Sequence, residues 1–332
     1  MRIGVFLEAH ATQAAAIALL AIAHIGLAEP ADVPVAYPAK PIRFIVGFTP
    51  GGTSDVVARL LSAKLAETWT QPLVVDNRPG AGGNLAVEIV ARSAPDGYTL
   101  LCASSSFSII PSLIRELSYN PRKDFAPVTL MTSAPYLLVL HPAVPAQSVK
   151  ELIALAKAQP GKLNYASAGA GSTLHLAGEL FKSLAGVDIV HVPYKGATGI
   201  TDLIAGAVQL SFAGVPQTLP HVKAGRLKAL AVTTARRATV VPELPTIAEA
   251  GVPGYDVTVW TGVIAPLGVP QAIITKLNTE INRACTSPAL LEKFATFGNT
   301  CLGSTPAQFA DLIKKETVKW ADVVKRSGAK VD

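Results

Sequence analysis

The sequence is short of the side chains on which most protein chemistry depends: 332 residues include three cysteines and six histidines. Cys102, Cys285 and Cys301 form no C-x-x-C pair, and the histidines beyond residue 28 (His141, His175, His191, His221) show neither i, i+4 spacing nor an H-x-H repeat. The usual signatures of a metal site are therefore missing. Charged residues make up 16% of the chain and aromatic ones 6%. The basic residues are scattered, apart from Lys314, Lys315, Lys319, Lys325 and Arg326, and no aromatics interleave with them. That excludes the pattern of a nucleic-acid surface and leaves a solvated helix face. Beyond residue 28 no apolar run is long enough to span a bilayer, which takes ~20 residues.

What is present begins with a leader. Arg2 precedes the apolar run Ala14 to Ala28, which closes on the small residues Gly26 and Ala28. This predicts a secretory signal peptide over residues 1–28, with an uncleaved anchor as the competing reading, and in a bacterium it addresses the mature chain to the periplasm. Without the leader, 28 basic and 22 acidic residues keep the net charge at +6. So modest an excess helps to gather small anions by long-range attraction. Half of the residues are apolar, enough for well-filled interiors, and the length suggests two domains or one large one.

Short apolar runs alternate with helical patterns, which predicts βαβ units and a mostly parallel sheet. Strands are expected at Ile42 to Val46, Leu73 to Val75, Thr99 to Ala103, Leu137 to Leu140, Asn164 to Ser167, Ile189 to Val192, Leu210 to Ala213 and Lys228 to Val232. One helix presents Val57, Leu60, Leu61 and Leu65 on a single face, another Ala177, Leu180, Phe181 and Leu184. The last helix is marked by Phe309, Leu312, Ile313, Trp320 and Val324. Near Val128 to Leu140 the chain leaves one unit, and Tyr255 to Pro266 reads as the returning strand. The expectation is two doubly wound α/β domains, residues 37–138 with 262–332 and residues 139–261, joined by two crossing strands with a ligand cleft between.

The stretch IVGFTPGGTSDVVARLL, residues 45–61, has Gly47 and Gly52 at the spacing of a nucleotide-binding loop, but Thr53 stands where that loop needs lysine. What remains is a strand, a turn through Pro50, Gly51 and Gly52, and a helix whose first N–H groups lack partners. That is an anion site without a nucleotide address. The glycine loop opening NRPGAGGNLAVE, the hydroxyls of ASSSF (Ala103 to Phe107) and NYASAGAGSTLHLAGELF (Asn164 to Phe181) share its logic. Such loops, at the carboxyl ends of strands in two domains, would face one another across a cleft.

Other chemistry is weakly signalled. Ser167 in YASAG resembles a nucleophile elbow, but Tyr165 replaces the first glycine, so an exported serine hydrolase using Ser167 or one of Ser104 to Ser106 is only the alternative. GAGG and GAGS lack the third glycine of a dinucleotide fingerprint. His175 either touches an anion or caps its own loop, and Asp55 complements the helix dipole, orients the loop or receives an amino group of a ligand. Cys102 reads as a small core residue, whereas Cys285 and Cys301 flank a short predicted helix and form a candidate disulfide in an oxidising compartment.

Six ordered motifs, KPIRFIVGFTPGGTSDVVARLL, NRPGAGGNLAVE, APDGYTLL, NYASAGAGSTLHLAGELF, HVPYKG and LPTIAEAGVPGYDVTVWTGVIAP, resemble the substrate-binding proteins of tripartite tricarboxylate transporters, the Bug (TctC) family, from about Tyr37 to the C-terminus. The resemblance implies a periplasmic-binding-protein fold that closes on a small carboxylate, without cofactor or catalysis, and delivers it to membrane transporter subunits. A ligand sensor for a membrane signalling partner would share the same cleft, and a monomer is expected. Carried onto this sequence, the family's ligand contacts fall on Pro50, Gly51, Gly52 and Thr53, on Ser104, Ser105 and Ser106, and on Ala168, Gly169, Gly171 and Ser172. His175 and Tyr194 join them, with Asp55 beside the first loop. Ala86 departs from the glycine of many members and touches helix packing.

Overall fold

A computed structural model describes residues 37–114, 116–194 and 198–329; the predicted leader and Lys195–Gly196 of the HVPYKG motif lie outside them. Strands form where the apolar runs predict them: β1 Ile42–Val46, β2 Leu73–Asn77, β3 Thr99–Ser104, β4 Phe125–Leu140, β5 Asn164–Ser167, β6 Val190–Pro193, β7 Leu210–Gly214, β8 Lys228–Val232 and β9 Thr258–Pro266. A two-residue strand, β10 Thr300–Cys301, was not foreshadowed. They join one sheet in the order β2-β1-β3-β9-β4-β7-β5-β6, with β8 and β10 also paired to β4.

The pairing is more mixed than the alternation of elements predicts. β1 runs parallel to β2 and β3, and β5 parallel to β6 and β7. β9 is antiparallel to β3 and β4, and β4 antiparallel to β7, β8 and β10. The reason lies in β4 and β9. The 16-residue β4 pairs with β9 from Phe125 to Pro135 and with β7 from Tyr136 to Leu140. One strand thus carries the chain out of the β1–β3 stretch and β9 brings it back, so the two must oppose each other.

The helices are α1 Thr53–Leu65, α2 Asn84–Ala91, α3 Ser106–Leu113, α4 Val149–Ala158, α5 Thr173–Ala185, α6 Thr198–Ala205, α7 Val215–Lys223, α8 Gln271–Cys285, α9 Pro288–Thr296 and α10 Pro306–Ser327. α1 buries Val57, Ala58, Leu61 and Leu65. In α5, Ala177 and Phe181 are buried, but Leu184 stands exposed in the last turn before the left-handed Gly186. α10 serves both halves of the sheet. Its Phe309 joins the cluster around Leu101, Trp260 and Ile264, and its Trp320 the cluster around Leu138, Phe181 and Tyr255. Among the described residues no helix is long and apolar enough to cross a membrane.

Candidate functional site

Three helices begin around one small cavity. Its volume is about 40 Å³, and its walls are Phe48, Thr49, Gly52, Thr53, Ser54, Ser104, Tyr136, Ala168, Leu174 and Gln217. Gly52 to Ser54 open α1, Leu174 lies in the first turn of α5, and Gln217 in the first turn of α7. None of these wall residues carries a formal charge. Alongside the apolar Phe48, Ala168 and Leu174, the cavity presents hydroxyls, one carboxamide and the donor-rich ends of helices, a setting that favours an anion over a cation.

The first loop is held from behind. Gly51 takes φ of +84°, a conformation that favours glycine, and its N–H donates to Asp55 Oδ2 at 2.9 Å. The same carboxylate accepts from Arg59 Nε at 3.0 Å and from Asn77 Nδ2 at 2.9 Å, while Asn77 also donates to the Phe48 carbonyl at 2.9 Å. Of the roles open to Asp55, orienting the loop is the one this geometry fills. Burial pushes its pKa up, but hydrogen bonds from Arg59, Gly51 and Asn77 outweigh burial and hold it below the ordinary aspartate value.

Of Ser104, the last residue of β3, and Ser105 and Ser106 that follow it, only Ser104 reaches the cavity. Ser105 Oγ accepts the Trp260 N–H at 2.9 Å and so ties α3 to β9. The buried Ser106 hydroxyl has no partner and lines a second, smaller space of about 10 Å³ that shares Phe48 and Ser104 with the first.

The glycine loop after β5 satisfies itself to a degree the sequence did not reveal. Gly169 N–H donates to Ser167 Oγ at 3.1 Å, Gly171 N–H to His175 Nδ1 at 3.3 Å, and Ser172 Oγ to the Gly169 carbonyl at 2.6 Å. His175 thus caps its own loop. Burial, with Lys182 nearby, pushes its pKa down to about 4, so the ring is neutral and not an anion-binding imidazolium. Behind it lies His191, stacked on His175 at 4.0 Å and on Tyr165 at 5.0 Å, its Nε2 2.6 Å from Ser167 Oγ. This contact has the spacing of a nucleophile and its base. Ser167, however, is buried outside the cavity walls and bonded into the loop, and burial holds His191 neutral with a pKa of about 3.

Gly52, Thr53, Ser104 and Ala168 are thus the expected residues that line the cavity. Pro50, Gly51, Asp55, Ser105, Ser106, Gly169, Gly171, Ser172 and His175 are not among its walls. Tyr194 is not among the walls, and its hydroxyl donates to Asp202 Oδ2 at 2.7 Å. Sequence reasoning missed Phe48, Thr49, Ser54, Tyr136, Leu174 and Gln217. Gln217 had a usable signal, since LSFAGVPQT (residues 210–218) is another strand running into a helix, with Pro216 in the first turn. Tyr136 had none: it sits mid-strand where β4 passes from β9 to β7, its ring buried and its hydroxyl bonded to Thr173.

The fold is that of the periplasmic solute-binding proteins, among which periplasmic binding protein BugD is a structural neighbour. The chain belongs to the tripartite tricarboxylate transporter receptor family, whose model matches residues 57–329. Protein BugT of Bordetella pertussis is 41% identical over 313 residues, covering 93% of this chain and 96% of its own. Among solved structures, Rpa4515 of R. palustris with adipate is 39% identical with a TM-score of 0.86, covering 89% of this chain and 99% of its own. MatC from Rhodopseudomonas palustris with bound malate is 34% identical with a TM-score of 0.80, covering 87% and 100%. Members of this family are substrate-binding proteins and not enzymes.

Proposed function

We propose that the chain is a periplasmic solute-binding protein that captures a small mono- or dicarboxylate between two lobes and delivers it, as a monomer, to the membrane subunits of a tripartite tricarboxylate transporter. The lobes are residues 37–138 with 262–332 and residues 139–261, and β4 and β9 form the hinge. One observation carries the reading: the first turns of α1, α5 and α7 meet at an uncharged, hydroxyl-lined cavity. Relatives seen with adipate and with malate support it.

The magnitudes are adequate. A hydrogen bond to a charged group contributes about 1.5–3 kcal/mol, and a helix N-terminus about 0.3–1 kcal/mol, more when partly buried. Four to six such contacts sum to roughly 6–18 kcal/mol, so after the ~4–15 kcal/mol of lost rigid-body freedom micromolar binding, about 8 kcal/mol, requires strong contacts to a preorganised site. A cavity of about 40 Å³ holds roughly three water-sized groups, the size of one carboxylate head. The rest of a longer ligand needs the lobes to part further.

Calorimetric titration of stripped, refolded protein against malate, adipate and shorter monocarboxylates tests the proposal. Saturable micromolar binding of at least one is expected, weakened tenfold or more in Gln217→Leu, which removes one hydrogen bond to charge. Absence of saturable binding by any member of the panel overturns it.

A further inference from the structure

The three cysteines occupy three different environments. Cys102 is buried in β3, where its thiol donates to the Ser54 carbonyl at 3.7 Å. Cys285 is fully buried at the last position of α8. Cys301 is half-buried in β10, paired with Thr132 of the crossing strand β4, and forms part of the wall of a groove of about 650 Å³. Ser133, Arg236, Arg237, Asp256 and Leu291 share that wall. Both sulfurs of the second pair are free thiols close enough to act on each other's ionisation, and the Gly303 N–H faces Cys301.

We propose that Cys301 is a redox-modification site and Cys285 its resolving thiol, the groove being the route by which a small disulfide reaches the pair. Access sets the order of events, because Cys301 faces the groove and Cys285 lies behind it with no exposure. Charge sets it too. Cys285 lowers the Cys301 pKa against the opposing effect of burial, with the Gly303 N–H adding to it, a direction that favours Cys301 over Cys285 as the thiolate. Cys301 in turn raises Cys285, and burial raises it further. For Cys102, burial and then the nearby Asp55 charge push the pKa up, which makes it the internal control. A thiolate is the attacking species in disulfide exchange.

With oxidised glutathione as the oxidant, Cys301 Sγ attacks one sulfur, the glutathione S–S bond breaks, and one glutathione leaves as thiolate. Cys285 then gives its proton to that thiolate and attacks Cys301 Sγ, and the second glutathione leaves. Two protein thiols are oxidised by two electrons, and one small disulfide is reduced to two thiols. The bridge closes a loop around α9. The loop includes Gly298, whose added Cβ would come within 3.1 Å of both Val215 and Val240, so oxidation constrains a segment that touches the other proposed lobe.

The proposal does not depend on the carboxylate reading. Fully reduced protein is incubated with oxidised glutathione and mapped by mass spectrometry without reduction. Wild type should yield a Cys285–Cys301 cross-link, Cys285→Ser a stable glutathione adduct at Cys301, and Cys301→Ser no adduct at Cys285 or Cys102. An adduct at Cys285 in Cys301→Ser, or a wild type that gives no cross-link, overturns it. As a check that needs no variant, iodoacetamide should label Cys301 in reduced wild type at least roughly tenfold faster than Cys285, and equal rates count against the assignment.

Discussion

Asp55 shows how one residue can look functional in sequence and act as scaffold. Its carboxylate is committed to Gly51, Arg59 and Asn77, so the charge shapes the loop that faces the cavity and leaves the cavity itself uncharged. Because the folded pKa lies below the ordinary value of 3.8, the stabilisation is present above that value and is lost as pH falls through the folded one. Asp55→Asn should therefore cost about 1–3 kcal/mol at pH 7, at the lower end because Arg59 is half-exposed and screened by solvent. The difference from wild type should shrink in urea unfolding below the ordinary aspartate value. His175 and His191 add a separate slope: both are held neutral, so their contribution falls as pH drops from 6.5 towards about 4 and 3. That slope is common to both proteins and cancels in the comparison. A pH-independent difference would show that the carboxylate charge is not the source of the effect.

At the scale of elements, the crossing strand β9 depends on a glycine. A Cβ on Gly262 would lie 2.3 Å from Phe309 Cζ and 2.8 Å from the Thr129 carbonyl, where α10 presses its ring edge-on against Trp260 at 5.3 Å. Gly262→Ala should destabilise by about 1–3 kcal/mol through overpacking, with the loss visible as a lower urea midpoint at unchanged slope. Stability equal to wild type would mean that α10 can shift off the strand at no cost. The strands and amphipathic helices were legible because periodicity is a local property of the chain, and β1, β5 and β8 begin and end where their apolar runs do. Of the ten wall residues, Gly52, Thr53 and Ala168 were legible for the same reason, a glycine turn between strand and helix, and Ser104 from the hydroxyls where β3 ends. The remainder depends on contacts distant in sequence. Ser105 is claimed by Trp260, 155 residues away, and Tyr136 enters the cavity only because β4 changes partners there. The amides of Gly169 and Gly171 are taken by Ser167 and His175, so glycine spacing alone overstates the donors a loop can offer.

At the scale of the molecule, the proposed lobes meet at backbone distance. A Cβ on Gly82 would stand 2.4 Å from the Ala170 carbonyl oxygen and 2.9 Å from Ser172 N, and one on Gly214 would stand 2.4 Å from Thr53 Oγ1. Nothing flexible can yield between Gly82 and the 170–172 loop, since both sides are main chain. Gly82→Ala should therefore act on closure. Its φ of +63° costs roughly 1 kcal/mol in a non-glycine residue, a small loss of global stability, whereas a lobe contact wedged open weakens every ligand hydrogen bond that spans the cleft. The expected result is carboxylate affinity reduced tenfold or more with an unfolding free energy within about 2 kcal/mol of wild type. Small-angle scattering separates this from simple damage to the loop: wild type should contract when saturated with ligand, and the variant should contract less at full occupancy. A variant that binds and contracts like wild type would mean that these loops meet without taking part in capture.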